Sequence, residues 1–480
     1  MSITANYNVP QLWMPAYNPI IYSFRSDQSA QPDFSYVVDV YVGSPNFPAS
    51  QTLRLYQKPN PSGNCIVDVS NIVQSYLSLS NFYGTETGAT GGLAYAPYGN
   101  NFPITYPLTA GNYPWNAVAG VHITVGEQYK VGGVLTMFDG LGAVGNPAYD
   151  LFSSYGSEPV RCVSGAIPYP DSVRNITSTS IANSFYGPYI MDGDGLFLSR
   201  LGTVQNIMLG QHHSLSFLNQ WDLGPGSYAF SVQGMEVIYY NSAGGVISST
   251  FVYNNTGAGG GPQTANTYTS ITYNLKYSVL QFNCGTRFLS PPAGTAYYTV
   301  QAYRKTSATA STTPGTACSS LYRFNIVSPP CSDLYPPVRV AWLNDLGGRD
   351  YYNFTMLYEK STTSDYDTWF QTMVNWDGQY AYPLTQNGDW WLRGGPKTFN
   401  KVVTTKFILQ TDWLTQAEVD ALGQIPESSQ VWAYIGQNVD QPQFVQVTNI
   451  DYTYSNVGQQ KLVQATLECQ YSKPQVKQNM

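Results

Sequence analysis

The chain is short of charge. Asp, Glu, Lys and Arg make up 11% of its 480 residues, where about a quarter is usual in soluble proteins. The 22 Lys and Arg stand against 29 Asp and Glu and form no basic run. That excludes a DNA- or RNA-coating role, which needs clustered cations to neutralise phosphates. Histidine is scarce too, with only His122, His212 and His213. Neighbours in a strand point to opposite faces, so His212 and His213 do not suit two ligands of one metal. There is no His-Glu-x-x-His, Cys-x-x-Cys or Walker-type loop, and no Gly-x-Ser-x-Gly elbow. A Ser-His-Asp set would have to use one of three histidines with no supporting motif. No run approaches the roughly 18 apolar residues of a membrane span. Met1 to Arg25 has no basic stretch followed by an apolar one, which predicts no secretory signal. Six cysteines, at 65, 162, 284, 318, 331 and 469, are too widely spaced for a disulfide scaffold. They are expected to be reduced, buried small hydrophobes of a protein made in a reducing cytoplasm. Only Cys318 and Cys331 are near enough in sequence to raise the question of a pair.

Aromatic residues are what the chain has in excess. They make up 15% of it, and 40 of them are Tyr. With 43% apolar residues, and Gly and Pro at 43 and 31 copies, the chain can bury a large core and is not a disordered one. Residues 1–270 hold 7 basic and 14 acidic side chains, and residues 271–480 hold 15 of each. A surface so poor in charge must make its polar contacts with Ser, Thr, Asn, Gln and Tyr. Interfaces are enriched in Tyr and depleted in Lys and Glu, so this composition suits a surface committed to neighbours. An extracellular polysaccharide binder would share the bias.

Period-two alternation dominates. Phe34, Tyr36, Val38, Val40 and Val42 fall on one face of a strand, with Ser35 and Asp39 on the other. The pattern returns at Tyr228, Phe230 and Val232, at Met235, Val237 and Tyr239, and at Tyr298, Val300 and Ala302. It closes the chain at Val463, Ala465, Leu467, Cys469 and Tyr471. Short alternating strands bounded by Gly, Pro and Asn predict an all-β protein of tandem antiparallel β-sandwich (immunoglobulin-like) domains. Asn241-Ser242-Ala243-Gly244-Gly245 reads as a hairpin turn. Two helices are expected, over Asp68 to Leu77 and near 415–423, where Thr415-Gln416-Ala417-Glu418 is a capping box and Gly423 a stop. The breakers suggest three units: 1–165 with a long Gly/Tyr/Pro-rich loop at 84–114, 166–330 as a middle sandwich, and 331–480. Residues 254–267 and 305–316 read as further loops.

Candidate chemistry is thin. Asp192-Gly193-Asp194-Gly195 resembles a piece of a calcium loop, but the fifth and twelfth positions are Leu196 and Thr203, so a Gly-rich turn is the simpler reading. Asp365 and Asp367 would share a strand face, whereas a glycosidase pair normally joins distant segments. Asn175, Asn254 and Asn353 start Asn-x-Ser/Thr triplets, which matter only in a secretory pathway. Trp390-Trp391, Tyr95 and Tyr98 could stack on sugars, yet aromatics are so common here that packing explains them first. No catalytic, cofactor-binding or metal-binding residue is therefore expected.

Several blocks form a distinctive order. Pro19 to Phe24 leads into Phe34-Ser35-Tyr36-Val37-Val38-Asp39-Val40-Tyr41, then Pro59-Asn60-Pro61-Ser62-Gly63 and Asp68-Val69-Ser70-Asn71-Ile72-Val73. After Cys331 come Val340-Ala341-Trp342-Leu343-Asn344-Asp345-Leu346-Gly347-Gly348-Arg349-Asp350-Tyr351-Tyr352-Asn353-Phe354 and Thr411-Asp412-Trp413-Leu414-Thr415. Over residues 10–80 and 331–475 this resembles virion structural proteins, tail- or neck-associated, of tailed bacteriophages that infect Bacteroidota-type hosts. The resemblance implies a non-enzymatic virion component that works as a symmetric homo-oligomer beside other virion proteins. A host-surface glycan is the alternative partner, and a glycan depolymerase the third reading. The Leu343–Gly348 run reads independently as a turn, with Asn and Asp tolerating left-handed backbone and the Gly pair supplying positive φ.

Overall fold

The computed structural model describes residues 3–5, 10–43, 51–77, 86–87, 93–94, 104–105, 118–153, 158–167, 185–191, 193–220, 232–253, 277–304, 315–328, 337–371, 395–435, 443–455, 462–472 and 475–476. The protein is nearly all β, with several antiparallel sheets. The chain forms two compact units, Met1–Ser328 with Trp342–Tyr351, and Pro329–Ala341 with Tyr352–Met480.

The first unit holds two cores. One lies between a seven-stranded and a three-stranded sheet. The larger runs Trp13–Pro15, Val160–Val163, Val118–Val131, Ser35–Gly43, Gln51–Gln57, with Val134–Phe138 and Tyr149–Leu151 also paired to the long Val118–Val131. The smaller is Ile3–Ala5, Ile21–Ser26, Asn64–Asp68. Tyr22, Phe24, Tyr36, Val38, Val40, Val121 and Ile123 pack in this core. Each such side chain contributes about 1.5–3 kcal/mol through burial. The polar tips are satisfied: the Tyr36 hydroxyl donates to Gly63 O (2.6 Å) and accepts from Ser26 N–H (2.9 Å).

As expected, Phe34, Tyr36, Val38, Val40 and Val42 are all buried. The opposite face is not simply solvated, because Asp39 is only 2% exposed. Arg54 grips its carboxylate with two bonds (2.6 and 2.7 Å) and Gln51 adds a third (2.8 Å), which offsets the desolvation of the charge.

The second core lies between a six-stranded sheet, in the order Val204–Ile207, Tyr322–Ile326, Tyr297–Arg304, Val232–Tyr240, Val246–Tyr253 with Thr316–Ala317 alongside Tyr297–Arg304, and a three-stranded sheet of Ser214–Gln220, Tyr277–Asn283 and Ile104–Thr105. Phe217, Phe282, Val237, Tyr298, Val300 and Phe324 fill it. The apolar phase of the sequence jumps from even to odd between Val232 and Met235, and the ladder slips between Val232 and Gly234. A β-bulge there resets which residues face inward. A Cβ on Gly234 would meet Val252 O at 2.4 Å, so only glycine fits the bulge. Trp13–Pro15 pairs parallel with Val160–Val163, as does Val204–Ile207 with Tyr322–Ile326.

The helices are short. The first is Ser70–Gln74 rather than the whole of 68–77, because Asp68 still pairs with Ile21 in a strand and its carboxylate accepts from Ser70 N–H (2.9 Å) and Ile20 N–H (3.0 Å). The helix Gln416–Leu422 carries the expected capping box at Thr415 and Glu418, and Gly423 ends it in right-handed backbone. A further helix, Thr286–Leu289, was not legible in the sequence.

Candidate assembly surface

An eight-stranded sheet takes most of its residues from the second unit. Its order is Arg349–Phe354, Val338–Leu343, Val431–Tyr434, Gln443–Ser455, Leu462–Tyr471, Gly395–Gln410, Leu357–Gln371, with Gln475–Val476 also paired to Gly395–Gln410. The last two strands of that order, 16 and 15 residues long, form a hairpin arm that outruns the sheet. Their ladder runs from Leu357↔Gln410 to Gln371↔Gly395. Leu462–Tyr471 supports only Lys406–Gln410, and Gln475–Val476 only Val402 and Val403. From Tyr366 outward, about 20 Å of the arm has no third strand among the described residues. The outer edge of Leu357–Gln371 is unpaired along its whole length among those residues.

The sequence builds this arm from Thr, Ser, Val and Tyr, which suit a pleated surface and do not favour helix. Its base is anchored by one apolar face. Phe407 and Leu409 are buried, and Phe407 packs edge-on against Tyr471 (4.5 Å between ring centres) and near Tyr358 (5.9 Å). Burial pushes the Tyr358 hydroxyl up to about 12. The other face carries Glu359, Ser361, Thr363, Asp365 and Asp367, all exposed. Asp365 and Asp367 thus stand on the solvent side of an edge strand.

The remaining candidates are dispersed. His122 is buried, its ring stacked between Tyr41 (4.7 Å) and Phe152 (5.1 Å), and desolvation lowers its pKa to about 4. His213 is buried against Phe324 and Tyr351, while His212 lies against Phe288, so the adjacent pair meets different surroundings. Gly193 and Gly195 donate backbone N–H bonds to Cys318 O (both 3.2 Å), docking the Gly-rich turn on that strand segment. Asn353 Oδ1 accepts from the buried Arg339 (2.8 Å). Cys65, Cys162, Cys284, Cys318 and Cys469 are buried, and burial raises Cys65 and Cys469 to about 12. Cys331, Asp192, Asn175, Asn254, Trp390, Trp391, Tyr95 and Tyr98 lie outside the described residues or have no described side chain. The described residues contain no cluster of three or more His, Cys, Asp and Glu fit to hold a metal, and no helix long and apolar enough to cross a membrane.

Two features were not anticipated. The Asn344 turn is a buried polar node in the first unit. Asn344 Oδ1 accepts from Leu346 N–H (3.1 Å) and Gly348 N–H (2.9 Å), and its amide donates to Leu198 O (2.9 Å) and Asp350 Oδ2 (2.8 Å). Ser199 and the Arg200 N–H also bond Asp350, and the Arg200 side chain grips Asp345 with two bonds (2.6 and 2.7 Å). Of the turn residues only Gly347 has positive φ (+81°), so Asn344 acts through its side chain and not through left-handed backbone. The second feature is a row on the outer face of the six-stranded sheet: Tyr240 stacks on Tyr297 (4.7 Å), and the Arg323 guanidinium lies 3.8 Å over the Tyr297 ring.

No protein-family model matches the sequence, and no curated protein does. Some solved structures are similar to parts of it. One is a chain from the tail of an empty gene transfer agent particle with C6 symmetry, at 12% identity over 26% of this chain and 82% of that one, TM-score 0.17. Another is from the virion of a native gene transfer agent, at 11% identity over 28% and 91%, TM-score 0.17. A third is from the baseplate of the anti-feeding prophage, at 13% identity over 31% and 96%, TM-score 0.20. All three are components of phage-like particles, and at these TM-scores the likeness carries no argument about this chain.

Proposed function

We propose that the chain is a non-enzymatic structural component of a bacteriophage virion, tail-associated, which acts through interfaces with copies of itself and with neighbouring virion proteins. The hairpin arm carries this reading. A two-stranded ribbon outside a sheet buries little of its own surface and is marginal in water alone, so an arm this long is best stabilised by a neighbour. The charge-poor, Tyr-rich composition and the block resemblance to tailed-phage proteins point the same way. The division into immunoglobulin-like units at 1–165, 166–330 and 331–480 belongs to this proposal.

The test is the mass of particle-derived and isolated protein at low and high ionic strength. An interface with few ion pairs resists salt, so an oligomer that persists in high salt is expected. A monomer in both preparations would refute the reading. The Tyr240–Tyr297–Arg323 row supports the alternative of a glycan-binding module, for which a glycan array with an Arg323→Ala control is decisive. A depolymerase would need a carboxylate pair assembled from separate strands, and turnover of host polysaccharide that is lost on mutating one of the two.

A further inference from the structure

We propose that the outer face of the six-stranded sheet in the first unit binds a carboxylate-bearing sugar, whose carboxylate is held by Arg323. This leaves the structural reading standing; it rests on the glycan-binding alternative above and names its ligand class. The site follows from strand register. Tyr239, Tyr298, Phe324 and Ile207 point into the second core, so their neighbours Tyr240, Tyr297, Asn325 and Asn206 point outward. Tyr240 pairs with Tyr297, Tyr297 with Asn325, and Asn325 with Asn206. The four side chains therefore form one row across four strands, about 14 Å from end to end. Arg323 stands one outward position along its strand from Asn325 and leans over the row, its guanidinium 3.8 Å over the Tyr297 ring. Its Nε donates to Asn325 Oδ1 (2.8 Å), and the Asn325 amide donates in turn to Asn206 Oδ1 (3.3 Å). A ring contact and a hydrogen bond thus hold the guanidinium in place before any ligand arrives.

The groups left over select the ligand. Arg323 is exposed and makes no ion pair among the described residues, so the terminal amino groups of its fork have no acceptor there. Glu236, an acid on the same face, lies two strands away and accepts from the Tyr303 hydroxyl instead (2.5 Å). Asn206 is also exposed, and its carbonyl is engaged while its amide N–H groups have no acceptor among the described residues. The row therefore offers mostly donors, centred on one positive charge. A planar fork of donors matches a carboxylate through two parallel bonds. A phosphate monoester carries closer to two charges and calls for a second cation, which the row lacks. The Asn206 amide and the two Tyr hydroxyls flank Arg323 at strand spacing and suit the hydroxyl oxygens of a sugar chain. A lone Asp or Glu of a protein partner would use the fork and leave those groups without a role.

The experiment titrates the full chain with oligomers of glucuronate, galacturonate and mannuronate, each beside its methyl ester, which keeps the sugar and removes the charge. Saturation-transfer NMR reads the binding. At least one acid should bind about tenfold tighter than its ester, the worth of one charged hydrogen bond, and should weaken with salt. Arg323→Gln should erase the difference between acid and ester. Arg323→Lys, which keeps the charge and loses the fork, is the second variant and should lose most of it. Asn325→Ala releases the guanidinium and should weaken the acid severalfold. All three side chains lie outside the core, so the thermal midpoint should stay at the wild-type value. No acid preferred over its ester, or a preference that survives Arg323→Gln, would overturn the proposal. So would a peptide alternating Glu and Thr that competes as strongly as the best sugar acid, since a protein would then be the ligand. Esters that bind as well as their acids sink this inference and leave the glycan-binding alternative in place. A monomer that binds the acid sinks only the homo-oligomer reading.

Discussion

His122 should make the first unit lose stability in mild acid. Its ring is 3% exposed, lies between Tyr41 and Phe152, and has its pKa lowered from 6.5 to about 4 by desolvation. The folded state therefore resists protonation while the unfolded chain accepts it. The stabilisation is complete above the unfolded pKa and is lost as pH falls through 6.5 toward 4. One pKa unit corresponds to about 1.4 kcal/mol, so between pH 8 and pH 5 this single residue costs about 2 kcal/mol. His122→Phe keeps an aromatic ring in the stack and removes the titration. Urea unfolding, followed by exchange of amides in Val118–Val131, isolates the unit at each pH. Relative to wild type, the variant should gain about 2 kcal/mol on going from pH 8 to pH 5, with other titrating groups cancelling in the comparison. Parallel stability curves would show that the imidazole is protonated in the fold, and the reasoning would fail.

Asn344→Ala should lower the stability of the first unit by more than about 3 kcal/mol, because it strips partners from two buried N–H groups, one carbonyl and the Asp350 carboxylate; urea unfolding measures it. Thr415→Ala breaks the capping box and should cost about 1 kcal/mol, read from the unfolding midpoint of the second unit. Cys65 and Cys469, held near 12 by burial, should resist alkylation at pH 8 until the protein is denatured, as mass spectrometry would show.

Much of the fold was legible because a sheet with one buried face writes its period into the sequence. Val463, Ala465, Leu467 and Cys469 alternate inward as expected. Even the phase jump before Met235 was a physical signal, since a bulge is the means by which a strand changes face. What escaped were arrangements set by distant partners. Asp39 looked like a solvent-facing residue because Arg54 and Gln51 meet it only once the neighbouring strand is in register. Asn344 was correctly placed in a turn, but Leu198, whose carbonyl helps make it a buried node, comes from a distant segment.

The arm shows why the candidate surface was hardest to find. Asp365 and Asp367 drew notice as a carboxylate pair, and the sequence offered only their spacing. Their significance depends on which strand lies beside them, and strand order is a topological property with no local signature. Had Leu357–Gln371 been a central strand, Glu359, Asp365 and Asp367 would each face a same-face neighbour on both sides, as well as above or below. At the edge, among the described residues, they have a paired strand on one side only. A chain with 11% charged residues places three acids on one face of one exposed strand. On an edge, acids on one face disfavour pairing with a like-charged copy, which blunts an otherwise sticky border.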